Sequence, residues 1–174
     1  ESCGGKFTIL SLDDALADEL TIRAWREYAR YSDVYFDLNY LRLEATRFGS
    51  SVYLSTFVLG NELVLRTHLV RPIGSYAHTR GRYVDMITPF EFGGPISLPF
   101  GRPPSKKLIK LAQDAMDKYC TKQGVVSEFV RFHPLLQNSK HWAKYYQLRE
   151  VGDNYFIDLK LASEEIINQY SRSQ

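Results

Sequence analysis

Apolar and polar positions alternate most clearly in the middle of the chain. Ser51-Val-Tyr-Leu-Ser-Thr-Phe-Val-Leu59 and Glu62-Leu-Val-Leu-Arg-Thr-His-Leu-Val-Arg71 are rich in β-formers, and Gly60-Asn61 between them is a two-residue hairpin turn. Before this hairpin the period changes to that of a helix. Ser11 and Asp14 form a capping-box pattern, and Leu12, Ala15, Leu16, Ile22, Trp25 and Ala29 recur at helical spacing, with a break expected near Glu19 to Thr21. Asp33 to Phe36 reads as extended. A helix then starts at the cap Asp37 and stops at Gly49, with Leu38, Leu41, Ala45 and Phe48 on one face.

After the hairpin, Pro72 ends the strand and Gly74 to Arg82 is a loop carrying His78, Arg80 and Arg82. Tyr83 to Thr88 reads as a strand. Ser105 caps a helix over Lys106 to Lys122 with the stripe Leu108, Leu111, Ala112, Ala115 and Tyr119, and Gly124 stops it. Val125 to Phe132 is a strand, and Pro134 to Tyr146 is irregular or partly helical. Gln147 to Val151 and Tyr155 to Leu159 read as strands about a Gly152-Asp-Asn turn, and Ser163-Glu-Glu-Ile opens a last helix. The expected class is α/β, more closely α+β: a mixed, largely antiparallel sheet flanked by helices. Residues 1–10 are expected to be a flexible lead and 11–162 a single domain. Residues 163–174 start a helix whose apolar face has hardly begun, so the chain is expected to continue.

Composition narrows the classes. With 174 residues and 44% apolar content the chain can bury a real core. The 22 basic and 20 acidic residues are too balanced for a general nucleic-acid binder. Cys3 and Cys120 lie far apart without a CxxC pattern, so reduced thiols and a cytoplasmic location are the default expectation, with no metal site. No apolar run approaches the ~20 residues that span a bilayer.

Two stretches carry candidate chemistry. Pro89-Phe-Glu-Phe-Gly-Gly-Pro95 is an aromatic turn with adjacent glycines, and Val126-Ser-Glu-Phe-Val-Arg-Phe-His-Pro134 is a strand ending in polar groups. On a regular strand Ser127, Phe129, Arg131 and His133 share one face, while Glu128 sits among Val126, Val130 and Phe132 on the other. Glu128 is then either a general base or the partner of a cation from a neighbouring strand. Arg131 either grips a phosphate or carboxylate or pairs with a neighbour such as Glu91. His133, held extended by Pro134, is more often structural than catalytic. Gly93-Gly94 either lets a ligand approach the backbone or only makes a turn, and Phe90 and Phe92 are wall or core. Gly101 to Lys107 offers a helix start that could receive an anion.

Thr88-Pro-Phe-Glu-Phe-Gly-Gly-Pro95 and Val126-Ser-Glu-Phe-Val-Arg-Phe-His-Pro-Leu135, followed by Asn138, resemble the paired signatures of the FemAB-like (FemX-type) branch of the GNAT acyltransferase superfamily. Trp25, Tyr35-Phe36, the hairpin and the closing Asp158-Leu159 with its Ser163-Glu-Glu helix extend the resemblance over most of the chain. It implies a GNAT-like first subdomain of a two-subdomain acyl- or aminoacyltransferase acting on an amine acceptor, a small molecule or glycopeptide of cell-wall or polysaccharide type. The donor is aminoacyl-tRNA or acyl-CoA. Glu128 is the implied catalytic group, and Phe90, Gly93, Gly94, Ser127, Arg131 and His133 the implied substrate-binding wall, with backbone N–H groups near Gly93-Gly94 steadying developing charge. Gly101-Arg-Pro-Pro-Ser-Lys departs from the Gln/Arg-x-x-Gly-x-Gly/Ala loop of CoA-using members, and its prolines lack N–H donors. A non-catalytic binding module and an acetyl-CoA-dependent N-acetyltransferase are the alternatives.

Overall fold

The computed structural model describes residues 4–29, 33–73 and 83–170. Gly74 to Arg82, expected to be a loop, Cys3 and residues 171–174 lie outside the described residues.

The fold is a six-stranded, mostly antiparallel sheet with helices on both faces. The hairpin forms its middle: β2 (Ser51–Leu59) and β3 (Glu62–Pro72) pair antiparallel from Leu59↔Glu62 to Ser51↔Val70. Ahead of it, β1 (Lys6–Ser11) pairs antiparallel with β2. The expected flexible lead is thus ordered from Lys6. Gly5 does not mark looseness there, because a Cβ on it would lie 2.4 Å from the Phe57 ring. β3 is edged by β5 (Ile96–Leu98) along Leu63–Leu65 and by β4 (Val84–Ile87) along Leu69–Pro72. β6 (Val125–Phe129) runs parallel to β4 and ends the sheet.

Both faces of the hairpin are covered, so the alternation separates two cores rather than core from solvent. Val52, Leu54, Leu65 and Leu69 point to one side. There they meet α1 (Leu12–Ala17), α2 (Glu19–Ala29) and α3 (Leu38–Phe48) through Ala15, Trp25 and Leu41. Phe57 and Val64 point to the other side, against Leu108, Ile109 and Ala112 of α4 (Lys106–Gln123) and Trp142 of α5 (Ser139–Trp142). Local caps fix these helices. Asp37 accepts from the amides of Asn39 and Tyr40, Ser105 from that of Leu108, and Gly49 and Gly124 end α3 and α4 in the left-handed conformation.

Three local expectations change. Val34–Phe36 is a 3-10 turn, not an extended segment: Asp33 caps it, and the Trp25 indole N–H donates to the Phe36 carbonyl at 2.7 Å. The strand after α4 is regular only to Phe129, after which a single bridge joins Phe132 to Gly93. Residues 147–158 form neither of the expected strands, because no strand pairs with them, and they lead exposed into α6 (Ser163–Tyr170).

Candidate functional site

The two sequence motifs meet in space. The Gly93 amide donates to the Arg131 carbonyl at 2.8 Å, and Thr88 Oγ1 accepts from the Arg131 amide. Buried Asn138 ties them further: its amide nitrogen donates to the Gly93 and Pro95 carbonyls (2.9 and 3.2 Å), and its oxygen accepts from the His133 amide at 2.9 Å. The glycines serve this packing. Gly94 has φ +86°, and a Cβ there would come within 3.0 Å of Val130 and 3.1 Å of Phe132. The Gly93 N–H, expected to steady developing charge, is taken by Arg131.

The implied binding wall does not assemble as one surface. The register β4↔β6 sets Ser127 beside Asp85, to which its hydroxyl donates at 2.7 Å, and sets Glu128 beside Met86 on the opposite face. Arg131 is exposed, with its guanidinium 5.4 Å from the Phe129 ring rather than paired with Glu91. Phe90 is partly exposed and holds Arg47 over its ring at 5.3 Å. His133 is buried: Nδ1 accepts from the Leu136 amide, so Nε2 carries the proton and faces Asp33 Oδ2 at 3.3 Å. Phe92 is half-buried and packs on Tyr35 and His133.

Glu128 has the cation partner that one of its two expected readings calls for. It pairs at 3.0 Å with Arg66 of β3, whose side chain is only 4% exposed, against 18% for Glu128. Arg66 also donates to Tyr146 Oη (2.8 Å) and Gln113 Oε1 (3.3 Å), and its charge lies over the Trp142 ring. Tyr146 in turn donates to Glu128 Oε2 at 3.1 Å, and burial foremost pushes its phenol pKa up. Burial opposes the charge of Arg66, but Glu128 and Tyr146 outweigh it and hold the pKa above its ordinary value. Two residues along β3, His68 lies against Tyr53 with neither ring nitrogen hydrogen-bonded, and burial, helped by Arg66, lowers its pKa to about 3. Burial, then Glu128, pushes the Cys120 thiol up to about 11, which removes it as a nucleophile at neutral pH.

The helix start considered for an anion already holds one. Glu62 accepts from the Ser105 amide at 2.8 Å and from its hydroxyl at 2.6 Å, bonds that lower the Glu62 pKa.

Beside this helix start lies a cleft of about 530 Å³ between the Pro95–Pro103 arm and the Leu135–Trp142 arm. Ile96, Leu136 and Trp142 give it apolar walls, Phe100 stands at its lip, and Arg102 and His141 are its exposed cationic and titratable side chains. Sequence reasoning missed Trp142 and His141 because no local pattern joins them to Pro95. It also missed Arg66 as the partner of Glu128, although a charge at an inward position of the hairpin was visible. Among the described residues no cluster of three or more His, Cys, Asp or Glu side chains could hold a metal ion. No described helix is long and apolar enough to cross a membrane.

No protein-family model, curated protein or solved structure matches the chain.

Proposed function

We propose that the chain is the acceptor-binding side of a cytoplasmic acyl- or aminoacyltransferase of the FemAB-like type its motifs resemble. The observation that carries this reading is the cleft into which both motifs run, Pro95 closing the first and Leu135, Leu136 and Asn138 closing the second. An acceptor lies with its apolar part on Trp142 and Leu136 and an anionic group on Arg102, which suits a phosphate or carboxylate. The acceptor amine attacks the acyl carbonyl, a C–N bond forms, and the ester or thioester bond to tRNA or CoA breaks. His141 is the cleft side chain suited to take the amine proton and pass it to the leaving group. Glu128 has a structural part, behind the Trp142 wall. The donor, aminoacyl-tRNA or acyl-CoA, then binds elsewhere than the α4 start, which Glu62 fills. The non-catalytic module is the second reading, and the engagement of Glu128 by Arg66 favours it.

Calorimetry with an amine-bearing peptidoglycan precursor tests the proposal. Binding should weaken roughly tenfold in Arg102→Ala, as loss of a charged hydrogen bond does. Adding aminoacyl-tRNA or acyl-CoA to the bound complex then assays transfer. Binding without transfer supports the module. No binding at millimolar precursor refutes both readings of the cleft.

A further inference from the structure

The outer edge of β6 and the segment after Tyr146 are each incomplete in a way the other satisfies. Among the described residues β6 pairs with β4 alone and ends the sheet, with Val126 and Phe129 exposed. An end strand presents a row of N–H and C=O groups that templates a further strand. The same chain holds Tyr155-Phe-Ile-Asp-Leu159, four large apolar side chains among five residues, matching the five residues of β6. Tyr155 is 94% and Leu159 84% exposed, and Phe156 and Ile157 also face water. No other described stretch leaves so many large apolar groups uncovered in succession.

Position decides the occupant. The Tyr146 hydroxyl is bonded both to Arg66 of β3 and to Glu128 of β6, so the segment that follows starts on the sheet face at β6, the end strand. Residues 147–154 can reach about 26 Å when extended, more than the ~17 Å length of a five-residue strand. Gly152-Asp153-Asn154 supplies residues suited to a reversal. A tether this short gives the chain's own segment a high effective concentration over that of a second molecule. We infer that the free edge of β6 is the docking edge for Tyr155–Leu159 of the same chain, which adds to the sheet as a further strand. Docked, the segment sets alternate side chains over Val126 and Phe129, and it carries α6 to the same end of the sheet. The inference does not depend on the function of the cleft.

Amide hydrogen exchange on the unaltered chain, at two protein concentrations, tests it. The amides of Tyr155–Leu159 should exchange at least ~10-fold more slowly than coil, equally at both concentrations. In Ile157→Asp, exchange should speed up in 155–159 and in β6 together while α4 keeps its protection. Coil-like exchange in the unaltered chain overturns the inference. So does an Ile157→Asp variant that leaves β6 exchange unchanged. Protection that grows with concentration alongside a dimer mass also overturns it, by assigning the edge to a second copy.

Discussion

Replacing Glu128 separates a structural carboxylate from a catalytic one. In Glu128→Ala the Arg66 guanidinium stays buried with Gln113 Oε1 and Tyr146 Oη as its remaining hydrogen-bonding partners. Removing one partner of a buried ion pair costs about 3–5 kcal/mol. Water reaches the partly exposed Glu128 site, so the lower end, about 3 kcal/mol, is expected. That is a large share of the 5–15 kcal/mol that holds a typical domain together. Glu128→Gln keeps an acceptor for Arg66 and should cost about 1–2 kcal/mol. Urea unfolding followed by circular dichroism measures both. At a slope near 2 kcal/mol per M, Glu128→Ala should lower the midpoint by about 1.5 M with the slope unchanged. Exchanging both charges for apolar groups, Arg66→Met with Glu128→Leu, should recover most of the loss. A cost below about 1 kcal/mol for Glu128→Ala refutes the reasoning. A tenfold or larger loss of transfer in folded Glu128→Gln would return Glu128 to the chemistry.

Two further changes probe neighbouring groups. His68 is neutral when folded, with its pKa held near 3, while an unfolded histidine protonates below about 6.5. The unfolded state then binds the extra proton, so stability should fall by about 1.4 kcal/mol per pH unit below 6.5, or roughly 2–3 kcal/mol by pH 4.5. Urea midpoints at pH 7, 5.5 and 4.5 should show this slope in the wild type and lose it in His68→Phe; parallel slopes would contradict it. Asn138→Ala removes three buried hydrogen bonds and should cost about 3 kcal/mol, a Tm drop of about 6–12 °C, with a drop under 2 °C as the contrary result.

What was legible in the sequence was what short-range chemistry determines. Asp37 with Gly49, Ser105 with Gly124, and Gly60-Asn61 mark element ends within a few residues of themselves, and all three mark real boundaries. The α+β class followed from their order. β1 and β5 were missed because each is made a strand by a distant partner, Phe7 by Phe57 and Ser97 by Val64. The site divides the same way. That Pro89–Pro95 and Val126–Pro134 belong together was readable. That Ser127 and Glu128 face opposite sides followed from alternation, yet the implied site used both, one in its wall and one as its catalytic group. The partner of Glu128 lies 62 residues away in sequence, and the cleft joins arms with no shared local signal.

The bond between Glu62 and Ser105 links the hairpin's alignment to a helix outside it. Glu62 opens β3 opposite Leu59 and grips the first turn of α4. Sliding β3 by one position against β2 would turn its side chains to the other face of the sheet. The carboxylate would leave the helix start, and Val64 would leave the α4 side for the opposite core. Helix α4 therefore acts as a gauge for the hairpin: its Ser105 cap keeps the Glu62 carboxylate only when the two strands are paired in one alignment. The carboxylate of Glu62 thus joins the buried Arg66–Glu128 pair in holding β3 to one alignment.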